Sequence, residues 1–152
     1  MDIQSQPLTR MLSHIVKLHH YSVHLMMEHG EVYPGQPPLL LRLARQEGLS
    51  QNELAQQLRI KPATLTVALK RLEKHGVVLR KPDEKDQRIS RVYLTDKGRQ
   101  ISQEVREALH QLEEVCFQDF SEEEKLQLRQ FLNRIHDNLK DNEKKYSAPD
   151  SR

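Results

Sequence analysis

The chain has 152 residues, of which 36% are apolar, 5% aromatic and 30% charged. This length is enough for one domain, and the low apolar fraction favours long helices with wide polar faces or a core completed by a second subunit. A single cysteine excludes an intrachain disulfide and fits a reducing cytoplasm. We expect no signal peptide. We also expect no membrane span, since no run of about 18 apolar residues exists.

The net charge of +2 is unevenly distributed along the chain. Between Arg59 and Arg91, ten lysines and arginines stand against four acids, a net charge of +6. Between Gln100 and Arg152, eight basic residues stand against twelve acids, a net charge of −4. A basic middle followed by an acidic section is typical of a polyanion-binding module on a scaffold that does not bind the polyanion. The alternative is a randomly mixed, solvated surface.

Two helices are predicted before the basic segment. Apolar residues recur at intervals of three and four from Leu8 to His29, which indicates a helix with an apolar face wider than a lone surface helix needs. Gly30 is a candidate stop for this helix. The prolines from Pro34 to Pro38 mark a loop in which a second helix begins, running to Gln46 before Gly48.

The basic segment begins with two further helices. Ser50 and Glu53 have the spacing of a capping box at the start of a short helix, and Pro62 suits the first turn of the next one, which Gly76 closes. In this longer helix the spacing predicts a buried stripe of Leu65, Ala68, Leu69 and Leu72. Its opposite face carries Ala63, Thr66, Val67, Lys70, Arg71 and Lys74.

A hairpin is predicted next. Residues 77–81 and 89–94 read as two short strands, in the second of which Ser90, Val92 and Leu94 share one face, and the segment 82–88 between them is too polar to bury. The order of helix, turn, helix and hairpin is that of a winged helix-turn-helix, so the predicted fold class is mainly α with a small β-hairpin wing (α+β). In this arrangement the second helix lies in the DNA major groove and the hairpin touches the backbone or minor groove.

The last third of the chain predicts two long helices. Thr95 can cap the first, whose apolar stripe ends at Val115 and Cys116, and the second capping box Ser121–Glu124 starts the other. In that last helix we expect five side chains to point inward: Leu128, Phe131, Leu132, Ile135 and Leu139.

The apolar stripes at both ends of the chain look too large for the small middle core to cover. We therefore predict a single domain over residues 1–152, with a DNA-binding lobe at 31–94 and dimerisation helices at 1–30 and 95–146. We call the helix between Pro62 and Gly76 the reading helix. A two-fold homodimer would also present two copies of it about one DNA turn apart, which fits a palindromic operator.

Several motifs resemble those of the MarR family of bacterial transcription regulators. They are the capped helix Ser50–Leu58, the run from Ala63 to Val78, the wing Asp83…Asp86-Gln87-Arg88, and Leu94-Thr95-Asp96-Lys97-Gly98. The resemblance implies a cytoplasmic homodimer of winged-helix subunits, usually a repressor, whose wing arginine enters the minor groove and which small ligands or oxidants often release from DNA. The chain departs from the family at Gln87, often an arginine, and at Val67, often polar or basic.

The candidate DNA contacts follow from these positions. On the reading helix they are Thr64, Thr66, Val67, Lys70 and Arg71, where Lys and Arg suit guanine edges and Val67 suits a thymine methyl. On the wing Arg88 suits a narrow minor groove, and Asp86 would orient its guanidinium. Lys61, Lys81, Lys85 and Arg91 are weaker phosphate candidates. The alternative for the helix face is simple solvation.

A small-molecule pocket is expected where the first, second and penultimate helices meet the DNA-reading lobe. Four residues could line it or could simply be core: His19, Tyr21, Met26 and Met27.

Metal and redox sites are not predicted. His20, His24 and Glu28 share one helical face, but no further ligand cluster has a recognisable spacing. Cys116 lies on an apolar stripe, so we expect a buried, inert thiol.

The sequence therefore predicts a DNA-binding regulator without a cofactor. No glycine-rich phosphate loop and no Ser/His/Asp or Cys/His arrangement points to an enzyme. The alternative is a winged-helix module that binds protein partners and no specific DNA. The operator sequence, the effector and the direction of regulation stay open.

Overall fold

The computed structural model describes residues 5–27 and 36–147. Within these ranges the chain forms six helices and three strands, in the order α1 (Leu8–Met26), α2 (Pro37–Arg45), β1 (Leu49–Ser50), α3 (Gln51–Leu58), α4 (Pro62–Lys74), β2 (Val78–Pro82), β3 (Ser90–Leu94), α5 (Asp96–Cys116) and α6 (Glu122–Ser147). The predicted mainly helical class with a small hairpin is confirmed. The predicted stop at Gly30 lies outside the described residues.

The helix ends follow the capping residues of the sequence. The Glu53 amide donates to the Ser50 hydroxyl at 3.1 Å, and the Ser50 amide donates to the Glu53 carboxylate at 2.8 Å, which completes the predicted capping box of α3. Pro62 stands in the first turn of α4. At the start of α5 the Gly98 amide donates to the Thr95 hydroxyl at 3.0 Å, so the predicted cap of this helix is also present.

The sheet contains one strand that the sequence pattern did not reveal. Its order is β1-β3-β2, all antiparallel, with Leu49 opposite Val92 and Val78 opposite Leu94. β1 has only two residues, too few to show an alternating pattern. It nevertheless anchors the hairpin, because it pairs with β3 immediately before α3 begins.

The core of the first part of the chain lies between α2, α3, α4, the sheet and α5. Its fully buried side chains include Leu40, Leu43, Leu54, Leu65, Leu69, Leu72, Val77, Val92 and Val105. Of the stripe predicted on α4, Leu65, Leu69 and Leu72 are fully buried and Ala68 is half-buried. Gly98 seats α5 against the root of the hairpin, because a Cβ at this position would stand 2.1 Å from the Val77 carbonyl oxygen.

The chain divides into two units, Met1–Leu112 and Glu113–Arg152. In the second unit no side chain of α6 is buried. The prediction of an inward-pointing stripe is therefore wrong for the single chain: Leu128 is half-buried, and Phe131, Leu132, Ile135 and Leu139 are exposed. The prediction of a buried Cys116 is wrong as well, since its side chain is exposed. Helical spacing identifies residues that share a face, but it does not reveal what covers that face.

Candidate nucleic-acid interface

The outer face of α4 brings together the side chains that the sequence predicted to contact DNA. Because Leu65, Leu69 and Leu72 turn inward, the opposite side of the helix faces solvent. Thr64, Lys70 and Arg71 are exposed, Thr66 is half-buried, and Val67 keeps 63% of its surface accessible. The Thr66 hydroxyl donates to the Pro62 carbonyl at 2.9 Å, which leaves its oxygen free to accept a hydrogen bond.

At the tip of the wing, Asp86 holds the side chain of Arg88. Arg88 Nε donates to Asp86 Oδ1 at 3.0 Å and Nη2 donates to Oδ2 at 3.0 Å, a bidentate pair. The pair lowers the pKa of Asp86 and raises the pKa of Arg88, because each charge stabilises the other. The Arg88 side chain nevertheless remains 91% exposed. The predicted pairing is present, and it orients a side chain that is almost entirely exposed to solvent.

At the root of the wing, Arg91 contacts the protein rather than solvent alone. Its Nε donates to Asp83 Oδ1 at 2.6 Å, and its Nη1 donates to the Gly48 carbonyl at 2.8 Å. The hydrogen bond from Arg91 is the main cause that lowers the pKa of Asp83. Sequence reasoning grouped Arg91 with the phosphate candidates, but in the structure two of its donors are already engaged.

Asp83 is a structural residue that sequence reasoning missed. Its Oδ2 accepts the amides of Lys85 at 3.1 Å and Asp86 at 3.0 Å, so the carboxylate closes the turn of the wing. An aspartate followed by a polar turn is the signal that could have identified it, because Asp side chains commonly accept amides two and three residues on. The pairing with Arg91 gave no such signal, since it depends on the register of the hairpin.

The reading helix and the wing border a common opening. A cleft of about 350 Å³ is lined by Pro62 and Thr66 of α4, by Arg88, Ile89 and Ser90 of the wing, and by the start of α3. The helix face and the wing tip thus belong to one continuous surface. The phosphate candidates Lys61 and Lys81 are also exposed, Lys61 immediately before α4 and Lys81 over the ring of Tyr93 at 5.6 Å.

Two of the four residues predicted to line an effector pocket share a cleft in the described part of the chain. Met26 and Met27 line a cleft of about 340 Å³ with Glu104, Glu107, Ala108 and Gln111 of α5, whereas His19 and Tyr21 are not among its lining residues. Tyr21 is exposed and stacks beside His24, with 6.5 Å between the ring centres.

A larger cleft of about 630 Å³ lies between α1, α2 and α4, and the sequence did not predict its lining. His20, the buried Gln36 and Leu39 form one side, and Thr64, Val67 and Arg71 of the reading helix form the other. Sequence periodicity could not reveal this cleft, because it depends on how separate helices are placed. Glu28, which shares a helical face with His20 and His24 in the sequence, lies outside the described residues. Within 5–27 and 36–147 no group of three potential metal ligands is found.

Comparisons with known proteins agree with this geometry. The model of the MarR family matches residues 33–90. The chain is 30% identical over 105 residues to the uncharacterized HTH-type transcriptional regulator YybA of Bacillus subtilis. The aligned residues cover 69% of this chain and 70% of that protein.

Two solved structures share the fold over most of the length of this chain. The crystal structure of MarR superposes with a TM-score of 0.79 at 27% identity, covering 95% of this chain and 98% of that one. A DNA complex of Staphylococcus aureus MepR gives a TM-score of 0.73 at 27% identity, covering 87% and 95%. Across the described part of the chain, none of the helices has the length and apolar character needed to cross a membrane.

Proposed function

Because the chain belongs to the MarR family of transcriptional regulators, which are not enzymes, we propose that it is a homodimeric repressor. In this proposal it acts in the cytoplasm, binds a palindromic operator and leaves it when a small molecule binds. The observation that carries the DNA-binding part is the continuous surface formed by the outer face of α4 and the guanidinium of Arg88. One element suits a major groove and the other a neighbouring minor groove.

The side chains of this surface divide into contacts to bases in the major groove, a contact in the minor groove, and contacts to phosphates. Lys70 and Arg71 of α4 would pair with guanine edges, and Thr64 and Thr66 would bond to a base or a phosphate. Val67 would contact a thymine methyl, since an exposed aliphatic side chain on a reading helix has no hydrogen bond to offer. Arg88 would enter the minor groove, while Lys61 and Lys81 would neutralise phosphates.

Exposed apolar residues at both ends of the chain support the homodimer. On α1 they are Leu8, Ile15, Val16, Leu18, Tyr21 and Leu25, and on α6 they are Leu126, Phe131, Leu132, Ile135, Leu139 and Tyr146. Apolar sets of this size mark interaction surfaces, and a second copy of the chain is the simplest partner that supplies the same stripes. Residues 31–94 would then form the DNA-binding lobe, and residues 1–30 and 95–146 the dimerisation region.

The larger cleft supports release by a small molecule. Its lining combines apolar side chains such as Leu39 with His20 and Arg71, which suits a ligand with an apolar body and a polar or anionic group. A ligand there would contact Val67 and Arg71, two of the proposed DNA contacts. Binding of the ligand and of DNA would therefore oppose one another, as coupled equilibria require.

Selection of bound sites from a random DNA duplex pool tests the proposal. We expect a palindrome whose half-sites are about 10 base pairs apart, one helical turn. The logarithm of the affinity should then fall steeply against the logarithm of the salt concentration. Failure to enrich any site, together with affinity indifferent to salt, would contradict the proposal and favour the protein-interaction module.

A further inference from the structure

Arg91 ties the wing to the rest of the DNA-reading lobe. It stands on β3, opposite Ser50 of β1 on one side and Lys81 of β2 on the other. Its guanidinium reaches back past β1 to the Gly48 carbonyl at 2.8 Å and forward to Asp83 at 2.6 Å, with the Glu53 carboxylate 3.9 Å away. A single side chain thus connects the segment that leads into α3 with the first residue of the wing turn.

From Asp83 the hydrogen bonds continue to the tip of the wing. Asp83 accepts the Asp86 amide, and Asp86 in turn accepts the backbone amide of Arg88 and its guanidinium. We call the four groups from the Gly48 carbonyl through Arg91 and Asp83 to Asp86 the wing brace. The Arg91 and Asp83 side chains are only 33% and 17% exposed, compared with 91% for Arg88 at the end of the series. The shielded contacts therefore lie at the root of the wing, and the exposed charge lies at its tip.

We propose that Arg91 is a positioning residue for DNA binding, which acts through the wing brace on Arg88 and does not itself neutralise a phosphate. This inference rests on the proposed function. Beyond Arg91, where the pairing with β1 ends, the wing is a two-stranded hairpin, which is marginally stable alone. The position of Arg88 relative to α4 therefore needs a fixed point outside the hairpin, and Gly48 supplies it. Charge-assisted hydrogen bonds between partly shielded groups are suited to hold that geometry before DNA arrives.

A double-mutant cycle separates positioning from direct contact. Affinity for a duplex selected from the random pool is measured for the unmodified chain, Arg91→Ala, Arg88→Ala and the double variant. We expect Arg91→Ala to weaken binding at least about fivefold, and to have little further effect once Arg88 is removed, because residues in one network are not additive. Equal fold losses in both backgrounds would overturn the inference, since an independent phosphate contact gives additive effects.

Asp83→Ala provides a second variant that does not depend on removing a positive charge. It deletes an acid beside a polyanion, so long-range electrostatics alone would strengthen binding. Disruption of the wing brace predicts the opposite, a weaker affinity that is again coupled to Arg88. Tighter binding by Asp83→Ala would overturn the inference even if Arg91→Ala proved too unstable to measure.

Arg99→Ala is the matched control for the removal of an arginine and its ion pairs. Arg99 belongs to α5 and donates to Glu47 at 2.8 Å, to Asp96 at 2.7 Å and to the Leu94 carbonyl at 3.3 Å, at the end of β3 far from the wing turn. It should leave affinity nearly unchanged, and a decrease equal to that of Arg91→Ala would overturn the inference. Arg91→Lys should recover part of the affinity, since it restores one donor but not the fork, and thermal unfolding confirms that each variant is folded. If the unmodified chain bound no duplex, the proposed function itself would fail and this inference with it.

Discussion

The DNA-binding lobe buries its apolar residues, whereas the last helix exposes them. In the lobe, the leucines of α4 are buried within the single chain and its charged face is turned outward. In α6, the apolar residues themselves are exposed and no side chain is buried. Both helices show clear periodicity, so the difference lies in what covers each stripe. The lobe buries its stripe within one copy, whereas the exposed stripe of α6 is the surface that we propose for dimerisation.

The largest expected effect distinguishes the two regions with the same substitution. Leu69→Ala removes a fully buried side chain from α4 and should lower the free energy of unfolding by about 2–5 kcal/mol. Leu132→Ala removes a side chain of α6 that is 44% exposed and should instead raise the dissociation constant of the proposed dimer. Urea unfolding and sedimentation at several protein concentrations measure the two quantities.

The two leucine variants act as controls for each other. The loss of stability that Leu69→Ala causes, relative to the unmodified chain, should be the same at every protein concentration, because the substitution acts within one copy. The stability of the Leu132→Ala variant should depend on concentration, because the substitution weakens only the associated state. If Leu132→Ala left association unchanged and destabilised the chain like Leu69→Ala, α6 would be packed within one copy and the comparison would be wrong.

The sequence was most informative where a local rule acts. The capping boxes at Ser50 and Ser121, and the cap at Thr95, depend on residues three positions apart, and all of them are present. The pairing of Asp86 with Arg88 is equally local. β1, the bond from Arg91 to Gly48 and the cleft beside His20 depend on residues far apart in the chain, so no local pattern could reveal them.

The inward orientation of the α6 stripe and the burial of Cys116 were predicted incorrectly for a related reason. Periodicity groups the apolar residues of α6 on one face, but that face is exposed in the single chain. The same limit applies to Cys116, which follows the stripe of α5 yet is exposed in the single chain. For both, the spacing of one helix groups the residues on a face but does not encode whether anything covers that face.

A second prediction sharpens the comparison on the side of the lobe. Arg88→Ala should weaken DNA binding by about 1–3 kcal/mol, roughly 5- to 150-fold, because the wing no longer has its minor-groove side chain. If each Arg88 also neutralises one phosphate, the salt slope should fall by about 0.9 per subunit. Stability and dimerisation should not change, since the Arg88 side chain is 91% exposed. Unchanged affinity and slope in a salt titration would contradict the role of Arg88.

The smallest predicted effect concerns Val67, an apolar residue of the DNA-binding lobe that is exposed rather than buried. Val67 of α4 is 63% exposed and Leu139 of α6 is 64% exposed, so accessibility alone would give both the same role. We assign Val67 to a thymine methyl and Leu139 to a second subunit. Val67→Ala should weaken operator binding by about 0.8 kcal/mol for each thymine methyl that it leaves uncovered, roughly fourfold, and should leave the dimer dissociation constant unchanged.

Deoxyuridine in place of thymidine provides the matched change on the DNA, because it removes only the 5-methyl group. At the contacted position this replacement should weaken binding by the unmodified chain and have little effect on the Val67→Ala variant, in which the side chain that touches this methyl is already absent. The same scan with Leu139→Ala should show no such coupling at any thymine. If no thymine position couples to Val67, its exposed side chain does not contact a thymine methyl. A ligand in the cleft that Val67 shares with His20 and Leu39 is then the next contact to test.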